Sequence, residues 1–288
     1  MTNIFDKEVW AFDCEWVPSI DAGRAVYGLP EDCPDEEVLK TMFEAQGATP
    51  ENPRPFLRTA YCRIASIAMV MRKQPLPGAV EPQLRLYALP NIFDKREYNE
   101  KGSNADLLSD ESCCEKNILS RFSDGLRKLS PILVGYNSRA SDMRILLQRS
   151  VINGLPAPEL YRRVTCKPWE SCDIDLMEMV CGMGRNYSVP LNDIARLCGI
   201  PGKLDMNGND VCGAWYRGER VSIVQYNCFD ALTTYLLWLR IALLDGNINA
   251  ERYRIEQLAV KALLEREIKN GHVFLQTFLD AWKPQLQD

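Results

Sequence analysis

Val9-Trp10-Ala11-Phe12-Asp13-Cys14-Glu15-Trp16 is an apolar run that ends in two carboxylates. Residues i and i+2 of a β-strand point to the same face. A strand that begins at Val9 therefore delivers Asp13 and Glu15 side by side at its C-terminal end. Adjacent carboxylates repel each other, and such a pair needs a proton or a cation to be tolerable. The stretch predicts both a strand and a metal-site candidate.

Outward from it, β-branched and apolar runs bounded by turn residues predict strands over 61–71, 84–89 and 132–136. Residues 19–55 form an acidic, Pro- and Gly-rich insertion, expected to hold one short helix over 34–45 with Pro in its first turn. A helix over 111–129 carries Ile118, Leu119, Phe122, Leu126 and Leu129 on one stripe and ends at Ser130-Pro131. Another runs from Ser141 towards Asn153-Gly154, and further helices are expected over 175–183, 191–197, 210–216, 220–244 and 250–270. This order predicts an α/β domain over 1–250, with a mixed central sheet, helices on both faces and a helix-rich C-terminal half. Residues 251–288 read as a helical extension. Its apolar stripe (Ile255, Leu258, Ala259, Ala262, Leu263) packs on the domain or meets a partner.

Composition narrows the chemistry. The 288 residues are 46% hydrophobic and 25% charged, the make-up of an ordinary globular chain. Eleven cysteines without zinc-site spacing, and no secretory leader at the N-terminus, point to idle thiols in a reducing, cytoplasmic compartment. The apolar stretch 231–244 falls short of the ~20 residues a bilayer span needs. A formal net charge of −5 argues against coating nucleic acid by bulk attraction. Residues 139–167 are nonetheless basic, with Arg139, Arg144, Arg149, Arg162, Arg163 and Lys167 forming either a solvated face or a phosphate track. The single histidine, His272, excludes multi-histidine metallohydrolases and leaves a histidine-dependent nucleophile one candidate. Hydrolysis here has to run on carboxylates and metal.

Two further segments bear on the site. The strand over 132–136 runs out through Gly135-Tyr136-Asn137 to Asp142 at the start of a helix. Asp142 is there a helix cap or a third ligand reaching beyond the strand ends. Tyr226 and Asp230 stand one turn apart on a helix that is otherwise apolar. An Asp in that setting is paired internally or ligates a metal.

In order and spacing, Asp13, Glu15, Asp142, Tyr226 and Asp230 resemble the DEDD superfamily of 3′–5′ exonucleases on the ribonuclease H-like fold. Tyr226-x-x-x-Asp230 looks like its tyrosine subclass, because Gln225 stands where the other subclass has His. The stretches 173–177, 191–203, Asp210-Val211 and 226–240 resemble the predicted exonucleases related to the proofreading domain of family-B DNA polymerases, over roughly residues 5 to 250. Two positions depart from that family: Ser141 replaces an aromatic residue, and Asn227-Cys228-Phe229 stands where Cys-Glu-x is common.

Four carboxylates with almost no nitrogen ligands suit Mg²⁺ or Mn²⁺. The resemblance implies two such ions held by Asp13, Glu15, Asp142 and Asp230, with Asp13 bridging them. Tyr226 would orient the attacking water. Asn137, Trp16, Tyr136, Arg139 and Lys203 would hold the substrate, the two aromatics by stacking on the terminal base. The implied partner is nucleic acid with a free 3′ end, single-stranded DNA favoured over RNA, cut to 5′-mononucleotides. The alternatives are an exoribonuclease or a binding module without turnover. The chain after Asn249 has no room for a polymerase, so service to a separate polymerase or repair complex stays open, as does oligomeric state.

Overall fold

The computed structural model describes residues 4–94, 108, 113–167, 170–182, 187–204 and 208–282. The N-terminal end of the helix expected over 111–129, Met183 of the helix over 175–183, and residues 283–288 lie outside the described residues. The strands are β1 (Val9–Pro18), β2 (Cys62–Lys73), β3 (Gln83–Leu89), β4 (Ile132–Gly135) and β5 (Ile174–Asp175). They form one mixed sheet in the order β3-β2-β1-β4-β5. β1 lies at its centre, antiparallel to β2 and parallel to β4. The helices are α1 (Ile20–Tyr27), α2 (Asp35–Glu44), α3 (Glu115–Leu129), α4 (Asp142–Ile152), α5 (Pro158–Thr165), α6 (Leu176–Cys181), α7 (Leu191–Leu197), α8 (Gly208–Tyr216), α9 (Arg220–Leu244), α10 (Ala250–Lys269) and α11 (Leu275–Ala281). The α/β class and the four main strands follow the sequence pattern.

β1 reads as a continuous apolar run because both of its faces are covered. Val9 and Ala11 enter a core cluster with α9, α10 and α11, while Trp10, Phe12 and Cys14 enter a second cluster with α3 and α4. α9 is apolar on nearly every side and correspondingly buried along most of its length, packing across β1 and β2. Alternation along β1 therefore turns Asp13 and Glu15 towards α9.

Several expectations change. The insertion 19–55 holds two helices rather than one, α1 being started by the Ser19 hydroxyl, which accepts from the Ala22 N–H at 3.3 Å. α1 escapes a reading based on Pro and Gly content because it is only eight residues long. Leu129 leaves the apolar stripe of α3 and is 42% exposed at the last helical residue, beyond which Ser130 adopts φ 43°. The basic segment 139–167 contains α5, and its cations are largely spent on ion pairs. Arg149 meets Glu115, Arg163 meets Glu159 and Asp173, Arg162 meets Glu159, Arg139 meets Glu178, and Lys167 meets Glu170. Of the six cations counted there, only Arg144 lacks a carboxylate partner among the described residues, too little for a phosphate track along the segment. α10 packs against α9 and β3, with α11 beside it, but through Tyr253, Ala259, Val260, Leu263 and Leu264; of the expected stripe Ile255 and Leu258 are only half-buried and Ala262 is exposed.

Candidate active site

Asp13 and Glu15 on β1 and Asp230 on α9 each bring one carboxylate oxygen within 4.8 Å of the other two. A bulge at Ala65 of β2, opposite Glu15 and Trp16, shifts the register immediately beyond the pair, and bulges are common beside functional sites. Asp13 and Glu15 are half-buried and Asp230 is buried, with Phe229, Ala231 and Leu232 around it on the helix.

Like charges in little water make this cluster costly. Burial, and then the charges of Asp142, Asp230 and Glu15, push the Asp13 carboxyl well above the usual range. Burial and Asp230 do the same to Glu15. Asp230 is pushed up to about 6 by burial, against the opposing pull of Lys203 and a hydrogen bond with Tyr226. Among the described residues, Lys203 is the cation that relieves all three. Its Nζ lies 5.7 Å from the Tyr226 ring centroid. Its position depends on Gly202, which adopts φ +69° and leaves no room for a Cβ beside Asn192, whose Oδ1 accepts from the Lys203 N–H at 2.9 Å.

Asp142 stands just outside the tight group but within its field. Its Oδ1 accepts from the Cys14 N–H at 3.0 Å, which ties the start of α4 to β1 between Asp13 and Glu15. The Ser141 hydroxyl lies 2.7 Å from both Asp142 Oδ2 and the Asn137 carbonyl, one proton serving two acceptors. Burial pushes the Asp142 carboxyl up to about 6 despite these hydrogen bonds. Ser141, the departure from the expected aromatic, thus spends its hydroxyl on the loop and on the acid that follows.

The remaining expected residues divide. Tyr226 is buried beside Asp230, and its phenol is raised by burial first and then by Asp230, Glu15 and Asp13. Asn137 sits at φ 57° on the turn between β4 and α4, half-buried. Tyr136 is held by its hydroxyl, which donates to the Val189 carbonyl. Arg139 is tied to the Asp173 carbonyl and Glu178, and its backbone N–H to Asp175. Trp16 follows Phe12 and Cys14 onto the opposite face of the sheet and packs against the cluster there. The structure brings Lys203 and Tyr226 to the acids and gives Tyr136, Arg139 and Trp16 other contacts.

Asp175 is a positioning residue that the sequence marks only as part of the family-like stretch 173–177, with no role attached. Its carboxylate accepts from the N–H groups of Asn137, Arg139 and Met177 at 2.8, 3.0 and 3.1 Å, clamping the turn that carries Asn137 and leads to Asp142. The turn also closes tightly over Gly135, where a Cβ would collide with the Ser138 side chain. The alternation Asp173-Ile174-Asp175 is visible in the sequence, but a two-residue strand gives no periodicity to place it.

The site fits hard divalent cations. Its donors are oxygens, it carries excess negative charge, and no carboxylate–cation bond neutralises Asp13, Glu15 or Asp230 among the described residues. Asn227, one turn from Asp230, is fully buried with both polar side-chain atoms lacking a partner among the described residues. Such an amide is costly unless something else completes it. A cleft of about 880 Å³ lies elsewhere, between α2 and α8.

Residues 54–282 match the family model described as "Predicted 3'-5' exonuclease related to the exonuclease domain of PolB". The chain belongs to this family. The match includes Asp142, Tyr226 and Asp230, whereas Asp13 and Glu15 precede it. No curated protein matches. Among solved structures, the chain is similar to the family B DNA polymerase from the hyperthermophilic archaeon Pyrobaculum calidifontis, with 14% identity and a TM-score of 0.48 over 90% of this chain. It spans 29% of that polymerase. No helix among the described residues is long and apolar enough to cross a membrane.

Proposed function

We propose that this protein is a 3′–5′ exonuclease of the tyrosine subclass that hydrolyses single-stranded nucleic acid, DNA in preference to RNA, one 5′-mononucleotide at a time. The observation that carries this reading is the convergence of Asp13, Glu15 and Asp230 from two elements, with Lys203 as their nearest cation. Residues 1–250 form the catalytic unit in this reading, and 251–288 a helical extension that buttresses it. Eleven free thiols accord with a reducing cytoplasmic location.

Asp13, Glu15 and Asp230 would hold the metal ions, with Asp142 contributing from its place beside Cys14. When bound, two Mg²⁺ or Mn²⁺ ions supply Lewis-acid stabilisation of the phosphoryl oxygens and activation of water. The chain's own part is orientation. Tyr226 keeps its phenolic proton and presents it as a hydrogen-bond donor beside Asp230. Lys203 offsets charge where a phosphate enters. Asn137, on the turn fixed by Asp175 and Gly135, would meet the terminal sugar. A separate polymerase or repair complex would be the natural supplier of free 3′ ends.

The test is product analysis on matched labelled DNA and RNA oligonucleotides, with free or blocked 3′ ends, in Mn²⁺ with and without chelator. Mononucleotides appearing only from free 3′ ends, and only with metal, are expected. No release from either nucleic acid would overturn the reading, and faster release from RNA would reassign the substrate.

A further inference from the structure

The neighbours of a helical residue on its own face stand three and four positions away in each direction. Around Asp230 all four of those positions carry hydrogen-bonding side chains: Tyr226, Asn227, Thr233 and Thr234. Apart from its tyrosines, the buried stretch 226–239 of α9 has no other polar side chain. Tyr226 shares a hydrogen bond with Asp230. The other three are fully buried, and the amide of Asn227 and the hydroxyls of Thr233 and Thr234 have no partner among the described residues. A helical Thr can bond back to the carbonyl four residues earlier, but these two do not.

A fourth such group comes from the sheet. Ser66 of β2 is fully buried, and its Oγ also has no partner among the described residues. It is the cross-strand partner of Glu15, so the two side chains share a face. That is the face on which Ala68 and Val70 meet α9. Among the described residues, the remaining buried amide or hydroxyl in this condition is Gln257, and its amide nitrogen still donates to the Tyr253 hydroxyl at 2.9 Å. Buried polar groups are satisfied in the great majority of cases. Four unsatisfied ones gathered about two carboxylates therefore mark a ligand rather than four separate defects.

We propose that Asn227, Thr233, Thr234 and Ser66 are positioning residues for the divalent cation of the acid cluster, taking up their hydrogen bonds with the carboxylates of Glu15 and Asp230 and with water around the ion when it binds. The inference rests on the metal-dependent part of the exonuclease reading and names the groups that tune it. Carboxylates that repel one another need an outside group to fix their direction, and such groups set metal affinity without touching the ion. Mg²⁺ and Mn²⁺ also keep several of their waters, which need partners of their own. Asn227 lies at one of the two departures from the family pattern. An amide there donates and accepts at once, whereas a thiol does both weakly.

The test needs no nucleic acid. Mn²⁺ affinity is measured on the whole protein from the paramagnetic resonance of the free ion, beside the melting temperature of the metal-free protein. The variants are Asn227→Ala and the shape-preserving pair Thr233→Val with Thr234→Val. Each should weaken Mn²⁺ binding about tenfold or more, the range for groups that orient metal ligands. The threonine pair should melt no lower than wild type without metal, because hydroxyls lacking a partner are removed. A merely structural role gives the opposite pattern, a lower melting temperature and unchanged affinity. Should Asn227→Ala fail to fold, the threonine pair decides. Unchanged Mn²⁺ affinity in the folded variants would overturn the proposal. So would a lower melting temperature of the metal-free threonine variant, which would reveal partners within the chain. Wild-type protein that binds no Mn²⁺ would overturn the metal-dependent reading and this inference together. Wild-type protein that binds Mn²⁺ but cuts no oligonucleotide would overturn the exonuclease reading alone.

Discussion

Two acid-bearing centres lie on the α9 side of the sheet, and they handle charge in opposite ways. Glu256 of α10 is fully buried, yet it is met by Arg72 at 2.8 Å, by Arg252 at 2.8 Å and by the Tyr235 hydroxyl at 2.8 Å. Arg72 is itself fully buried and also donates to the Phe5 carbonyl at 3.0 Å. At the other centre Asp13, Glu15 and Asp230 face one another with Lys203 nearby. The first centre is complete within the chain and holds α10 to β2. The second is left over-charged, which no folding requirement explains. A buried acid whose partners are all internal speaks for structure. One whose partners are missing speaks for a ligand.

The sharpest way to break this contrast is to remove one acid from each centre. Asp13→Ala should lower oligonucleotide hydrolysis by about a thousandfold or more, the scale of losing a principal metal ligand. It should also raise the melting temperature of the metal-free protein, because repulsion is relieved. Glu256→Ala should do the reverse, costing about 3–5 kcal/mol by stranding Arg72 in the core, while any folded fraction keeps its turnover per molecule. Thermal melts and single-turnover rates on both variants decide. A destabilised but active Asp13→Ala protein would dissolve the distinction.

Next in size is the pH response of the metal-free protein. Asp142 and Asp230 are pushed up to about 6, above the ordinary carboxylate value. The folded state therefore binds protons that the unfolded state has released. That contribution is fully present below about pH 4 and is lost as pH rises through about 6, on the order of 3 kcal/mol for each group. Asp230→Asn should remove part of this loss, so its melting temperature should rise relative to wild type as pH goes from 5 to 8. Mn²⁺ should stabilise the wild-type protein most at the alkaline end, where it no longer competes with protons. A metal response independent of pH would argue that the ions bind elsewhere.

How far these features can be read from the sequence depends on local periodicity. β1 is legible because an apolar run ending in Asp13 and Glu15 encodes both burial and facing. α9 is legible because a single Asp and Tyr interrupt a long apolar helix. Asp142 is only half legible, since a helix-opening Asp reads equally as a cap, and what separates the two is a hydrogen bond to Cys14, distant in sequence. The clamp by Asp175 escapes for the same reason, its three N–H partners being set by a two-residue strand. Trp16 is drawn to the site by its proximity in sequence to Glu15, whereas strand alternation sends it to the other face. The basic segment 139–167 is, in the sequence, a count of charges, and only tertiary pairing reveals that most are committed.

The smallest effect, and the one that most refines the site's chemistry, belongs to Tyr226. Its phenol is raised above the ordinary tyrosine value by burial and by three neighbouring carboxylates, so in the metal-free protein it stays protonated throughout the neutral range. A group that holds its proton this firmly cannot accept one from water in the reaction. It can only donate a hydrogen bond and fix direction, which is worth less than general-base catalysis. Tyr226→Phe should therefore slow hydrolysis about tenfold, about 1.4 kcal/mol of barrier, while Mn²⁺-induced stabilisation persists because no ligand is removed. The shape of the pH–rate profile should also be unchanged, since the missing hydroxyl was not titrating. Loss of an alkaline limb in the Phe variant would show that the phenol does exchange its proton, and would place Tyr226 with the acids rather than beside them.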